Sequence, residues 1–129
     1  MARLIVLDAS VVIAALASGD VHHSGARGAL SEAADDDLVL AATTRAEVLV
    51  GPSHAGGRAL AAARDFLDGC ETIPIGASIA DGAAALRAGH GGLSLPDAIT
   101  LVMAEMIDAD VVWTFDHRWR GLQPRISIP

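Results

Sequence analysis

The sequence predicts an α/β fold with three layers, α/β/α, around a mostly parallel central sheet of four to five strands. Two patterns carry the prediction. Short apolar runs without polar alternation recur along the chain, as in strands buried on both faces of a parallel sheet. Ala-rich segments of helical character lie between them, giving the strand–helix alternation of α/β architecture. The chain has 129 residues and is 52% hydrophobic, which fits one domain over residues 1–129. That much apolar material fills a core and excludes disorder.

The elements follow in order. Leu4-Ile5-Val6-Leu7 is the first strand, and Ser10–Ser18 and Val21–Ala34 are the helical segments after it. Leu38-Val39-Leu40 is the second strand, followed by helices over Thr44–Val50 and Gly57–Leu67, with Gly51-Pro52 and Gly56-Gly57 as punctuation. Thr72–Ile75 is a weaker strand candidate, demoted to an edge position by Pro74. Helices over Ser78–Ala88 and Leu95–Ile107 lead to the strand Val111-Val112-Trp113. The last long helix carries Ile99, Leu101, Val102, Met106 and Ile107 as an apolar stripe. A short helix over His117–Leu122 and a weak strand at Ile126–Ile128 complete the chain.

Composition narrows the chemistry. All nine cationic side chains are arginine, so a P-loop, a Schiff-base enzyme or a phosphotransfer site that uses lysine is excluded. Formal net charge is −7 and aromatics are 3%. Neither bulk electrostatic binding of nucleic acid nor a base-stacking platform fits those values. The single cysteine, Cys70, forms no intrachain disulfide and reads as a small apolar residue, consistent with a reducing cytoplasm. The N-terminal stretch superficially resembles a signal peptide, but Asp8 and Ser10 interrupt it. The run Val11–Ala17 is far below the roughly 20 residues that span a bilayer, so a membrane location is not expected.

Ligand sites in open parallel sheets lie beyond the carboxyl ends of the strands. Four acids are placed there. Asp8 follows the first strand, Glu47 sits at the start of the helix after the second, Asp97 opens the last long helix, and Asp116 follows the strand at Val111. Each has an ordinary explanation as a helix cap. Thr44…Glu47 and Ser94…Asp97 have capping-box spacing, and Pro96 suits a first helical turn. Caps do not require acids at every strand exit, however, because Ser or Asn serves as well. Neighbouring carboxylates repel unless a cation joins them, and hard oxygen ligands select Mg²⁺ or Mn²⁺ over Zn²⁺ where no His or Cys has ligand spacing. Asp35-Asp36-Asp37 reads as a solvated loop, adjacent His22 and His23 as surface residues, and Trp119 as core or interface.

Leu7-Asp8-Ala9-Ser10, Glu47 at a helix start, Leu95-Pro96-Asp97-Ala98-Ile99 and Thr114-Phe115-Asp116, in that order over nearly the whole chain, resemble a PIN-domain ribonuclease. At this length the resemblance narrows to the VapC toxins of type II toxin–antitoxin pairs. It implies a PIN-like fold and a Mg²⁺- or Mn²⁺-dependent endoribonuclease that cleaves RNA with a metal-activated water. It also implies a homodimer held in check by a cognate antitoxin. The family pattern falls on Asp8, Glu47, Asp97 and Asp116 as catalytic metal ligands, with Ser10 and Thr114 as supporting hydroxyls. Members often carry a basic residue where this chain has Phe115; here Arg118 and Arg120 follow instead.

Arg45, Arg118 and Arg120 are the candidates for contact with the RNA backbone, since guanidinium forks match phosphate geometry. Two other readings stand beside this one. The first is a non-catalytic α/β interaction module whose acids are only caps, and the second is a metal-dependent phosphatase acting on small phosphate esters.

Overall fold

The computed structural model describes residues Met1–Pro129. Leu4–Leu7 forms β1, followed by α1 (Ala9–Leu16) and α2 (His23–Glu32). Asp37–Ala41 forms β2, followed by α3 (Ala42–Ala55) and α4 (Gly57–Asp68). Glu71–Ile73 forms β3, then come α5 (Ala77–Gly89) and α6 (Leu95–Met106), and β4 is Val111–Trp113. A 3₁₀ turn, His117–Trp119, and the two-residue strand β5, Ile126–Ser127, close the chain. No helix is long and apolar enough to cross a membrane.

The five strands lie in the order β3-β2-β1-β4-β5, and every pairing is parallel. Side chains alternate across each central strand. Ile5 and Leu7 join Leu40, Trp113 and residues of α1 to α4 in one apolar cluster. Val6, Val39, Ala41 and Val112 join α5, α6 and Trp119 in the other. The three layers therefore have α1–α4 on one face and α5–α6 on the opposite face. Right-handed crossovers require this split. The connections β1→β2→β3 run in one direction and the connection β3→β4 runs back over the sheet.

Close packing of α5 on α6 depends on Gly82, where an added Cβ would sit 2.8 Å from a Val102 methyl. At the far end of α3, Gly56 has φ +69°, a left-handed conformation that glycine adopts without steric cost and that separates α3 from α4.

Three sequence expectations need correction. Helix α3 starts at Ala42 and continues through Gly51-Pro52 to Ala55, whereas Thr44–Val50 with a break was expected. Gly51 has no Cβ to meet the Pro52 ring, which removes part of the usual obstacle to a helical residue before proline. The Asp35–Asp37 run is more than solvated loop, because Asp37 begins β2 and Asp36 takes both the backbone N–H and the guanidinium of Arg3 at 2.8 and 2.9 Å. The helix expected over His117–Leu122 is a single 3₁₀ turn ending at Trp119.

Candidate active site

The strand order reverses between β1 and its two neighbours, because the chain leaves β1 toward β2 on one side and returns at β4 on the other. The carboxyl ends of β1 and β4 therefore frame a crevice. Asp8 and Thr114 follow directly from those ends, with Asp8 N–H donating to the Trp113 carbonyl at 3.0 Å. Leu7, the residue before Asp8, is fully buried and anchors it.

Asp8 stands at the first position of the N-terminal cap of α1 but does not cap the helix with its side chain. Its Oδ2 instead accepts from two hydroxyls, Ser10 Oγ at 2.7 Å and Thr114 Oγ1 at 2.9 Å. Both hydroxyls are oriented from behind. Phe115 N–H donates to Ser10 Oγ at 3.0 Å and Asp116 N–H donates to Thr114 Oγ1 at 3.0 Å. Each hydroxyl has a single proton, and with its lone pair engaged by an amide it directs that proton to Asp8. The loop after β4 is held further by a parallel stack of His22 on Phe115, with centroids 4.2 Å apart and planes 6° from parallel.

Asp97 occupies the third helical position of α6. The Ser94 hydroxyl caps its backbone N–H at 3.2 Å, and Pro96 lies in the first turn. That half of the expected capping box forms. The Thr44…Glu47 box does not, because α3 begins two residues before Thr44 and Glu47 falls in its second turn. Thr44 turns inward, and its hydroxyl lies 3.2 Å from that of Thr100, both residues being buried. This pin joins α3 to α6 three residues from each acid. The sequence reading missed Thr100; its signal was a hydroxyl inside the apolar stripe of α6, which needs a buried partner.

The acids sense one another. Burial and the charges of Asp8 and Asp97 push the Glu47 carboxyl above its ordinary value. Burial also raises Asp97, opposed by the Ser94 hydroxyl and assisted by the charge of Asp8, while the Trp119 indole N–H lowers it and Asp116 raises it. Trp119 is core, only 1% exposed, and its Nε1 lies close enough to Asp97 to favour the charged carboxylate without completing a hydrogen bond to it. Asp116 is pulled in the other direction, below the ordinary carboxylate range, because the Arg118 guanidinium grips it. It also caps the 3₁₀ turn, accepting from the Arg118 N–H at 3.0 Å. A cavity of about 330 Å³ adjoins the acids, walled by Leu93, Asp97, Asp116, Arg118, Trp119 and Leu122.

The arginines divide. Arg118 is at the rim on Asp116, and Arg120 is exposed just beyond. Arg45 is directed away, bonded to Asp68 at 3.1 Å and to Thr72 at 3.4 Å. Cys70 is half-buried near the end of α4, and loss of solvent pushes its thiol up to about 11, so it stays protonated.

As the side chains stand, no three of Asp, Glu, His or Cys converge on one ion position. The donor set nevertheless suits a hard divalent cation. Mg²⁺ keeps several waters and takes only one or two protein carboxylates, Asp8 Oδ1 is left free of the hydroxyls that hold Oδ2, and no His or Cys belongs to the group.

Residues 5–123 match the family profile of the PIN domain. Among curated proteins none matches the chain. A toxin–antitoxin complex from Klebsiella pneumoniae contains a chain 28% identical, with TM-score 0.80 and 97% of each chain covered. VapC20 of Mycobacterium tuberculosis, a toxin that cleaves the sarcin–ricin loop, superposes with TM-score 0.79 at 19% identity, covering 92% of this chain and 94% of that one. VapBC2 from Rickettsia felis, bound to a DNA fragment from its promoter, gives TM-score 0.68 at 14% identity over 98% and 97%. At those two identities the likeness is one of fold.

Proposed function

Because the chain belongs to the PIN-domain family, we propose that it is a metal-dependent endoribonuclease, the toxin of a toxin–antitoxin pair. The observation that carries this reading is the Asp8 assembly. Two hydroxyls, the buried Thr114 and the half-buried Ser10, each directed by a backbone amide, are spent on fixing one carboxylate at the reversal point of the sheet. A helix cap needs no such support, which weighs against the non-catalytic module.

Asp8, Glu47, Asp97 and Asp116 would hold Mg²⁺ or Mn²⁺, one or two of them directly and the others through the ion's waters. The bound ion would neutralise charge at the scissile phosphate and lower the pKa of the attacking water. Asp8 keeps Oδ1 free for the ion while Ser10 and Thr114 restrain Oδ2. Glu47 and Asp97 supply negative charge that is not held in an ion pair and that burial and neighbouring acids oppose, which is the condition a cation relieves. Arg118, and Arg120 beyond it, stand where they can meet the RNA backbone; Arg45, bound to Asp68, is the weakest of the three candidates.

A cognate antitoxin is the proposed protein partner, supported by the Klebsiella toxin–antitoxin complex at 28% identity, and a second copy of the chain is proposed beside it on the family resemblance alone. Ile13, Val50, Leu95 and Met106 are large apolar residues left exposed for such contacts. A cytoplasmic location accords with a chain whose helices do not cross membranes.

The function is tested by giving the protein with Mn²⁺ a structured RNA and, separately, a small phosphomonoester. Cleavage of the RNA alone is expected. Hydrolysis of only the monoester would favour the phosphatase, and inertness toward both would favour the interaction module. A second measurement addresses the hydroxyls. Thr114→Val is expected to reduce cleavage by about 10–100-fold, the usual cost of losing an orienting partner of a metal ligand. It also leaves the Asp116 N–H without its acceptor, costing about 1–3 kcal/mol of stability in denaturant melts. Unchanged cleavage would remove the hydroxyl from the site.

A further inference from the structure

Asp116 differs from the other three acids in already having a cation. Its Oδ1 accepts from the Arg118 backbone N–H and Nε, both at 3.0 Å, and its Oδ2 accepts from Nε at 3.2 Å and Nη2 at 2.7 Å. The guanidinium thus covers both oxygens that an ion would need. The Arg118 side chain is 78% exposed, and an exposed ion pair is held weakly and exchanges readily.

We infer that Arg118 is an exchangeable counter-ion. It occupies Asp116 in the empty site, gives way when a divalent ion binds, and moves its fork to the RNA phosphate. This rests on the reading of the four acids as a metal site. Three observations favour the exchange over a permanent pair. A guanidinium and a divalent ion on one carboxylate repel each other, so they occupy it alternately. The fork that grips the two oxygens of Asp116 has the geometry that grips two phosphate oxygens. Arg118 and Asp116 also line the same cavity as Asp97, so the released side chain stays beside the reaction site. Ion and RNA pull the pair apart from opposite ends, and each thereby favours binding of the other.

The test compares wild type, Arg118→Ala and Arg120→Ala, the last as a control that removes the same charge nearby. Mn²⁺ binding to the RNA-free protein is measured from the electron paramagnetic resonance signal of free Mn²⁺. RNA cleavage is then followed at saturating Mn²⁺. Arg118→Ala is expected to tighten Mn²⁺ by at least about fivefold, with Arg120→Ala within about twofold of wild type, because its charge is screened. The same Arg118→Ala variant is expected to raise KM for RNA about tenfold, the worth of a charge-assisted hydrogen bond, with kcat changed much less. Equal Mn²⁺ affinity in wild type and Arg118→Ala, or equal tightening in both variants, overturns the counter-ion role. An unchanged KM overturns the transfer to phosphate. Absence of Mn²⁺ binding in wild type overturns the metal site itself, and the exchange with it. A wild type that binds Mn²⁺ and cuts RNA beside an indifferent Arg118→Ala overturns the exchange alone.

Discussion

Asp8→Asn is expected to abolish RNA cleavage, by more than about a hundredfold, given that even orienting partners of metal ligands cost 10–100-fold, and to leave the fold intact. The geometry explains why the two effects separate. The amide oxygen of Asn accepts from Ser10 and Thr114 as Oδ2 does now, so the network behind the side chain survives. What changes is the other atom, where an N–H₂ donor replaces the free Oδ1. The amide nitrogen, its lone pair delocalised into the carbonyl, ligates no cation, and a unit of negative charge is lost. Circular dichroism and thermal melting of the variant should overlay wild type, while a gel-based cleavage assay shows intact RNA. Asp97→Asn should behave in the same way in the cleavage assay. Wild-type cleavage by both variants would remove the catalytic assignment.

The second large effect is on stability. Mn²⁺ at about 100 times its dissociation constant would contribute about 2.7 kcal/mol to the native state and is expected to raise Tm by about 10 °C for a domain of this size. Without metal, Asp97→Asn is expected to melt above wild type, because it removes one of the carboxylates that repel Glu47. It also loses the Mn²⁺ response. The pH dependence follows the same logic. Glu47 and Asp97 bind protons more readily in the native state than in the unfolded chain, so metal-free stability declines as pH rises from their ordinary values of 4.5 and 3.8 through the raised ones. Asp116 works in the opposite sense. Its carboxyl is lowered, so its contribution is present above 3.8 and is lost as pH falls through the lowered value. Differential scanning fluorimetry with EDTA, Mg²⁺ and Mn²⁺ across this range reads all of these. A melting curve indifferent to both ions would count against the metal site.

The fold was legible because the apolar runs of β1, β2 and β4 lack any polar alternation, which is how a strand covered on both faces must read. The placement of Asp8 and Asp116 followed from strand ends alone. Glu47 was less legible. Its Thr-x-x-Glu spacing imitates a capping box, and only the tertiary contact of Thr44 with Thr100 shows that the helix starts earlier and that Thr44 faces inward. Arg45 was chosen because guanidinium forks suit phosphate; its pairing with Asp68, 23 residues away on another helix, is a tertiary contact that the local sequence does not display. The grip of Arg118 on Asp116 spans two residues and was open to view, but an i,i+2 pair faces itself only in a turn, and this segment was expected to be helical.

The parallel order of the sheet also bears on synthesis of the protein. Strand β1 precedes β4 in the chain and pairs with it on one side, so that edge stays open until the residues of β4 have been translated. The oxygen of Thr114 that restrains Asp8 emerges 106 residues after it. A partly translated chain therefore holds no assembled acid site, whatever its early helices have formed. For an enzyme proposed to cut RNA, the ribosome that makes it is exposed to the finished site only after Thr114 and Asp116 have emerged, when a cognate partner can already be waiting.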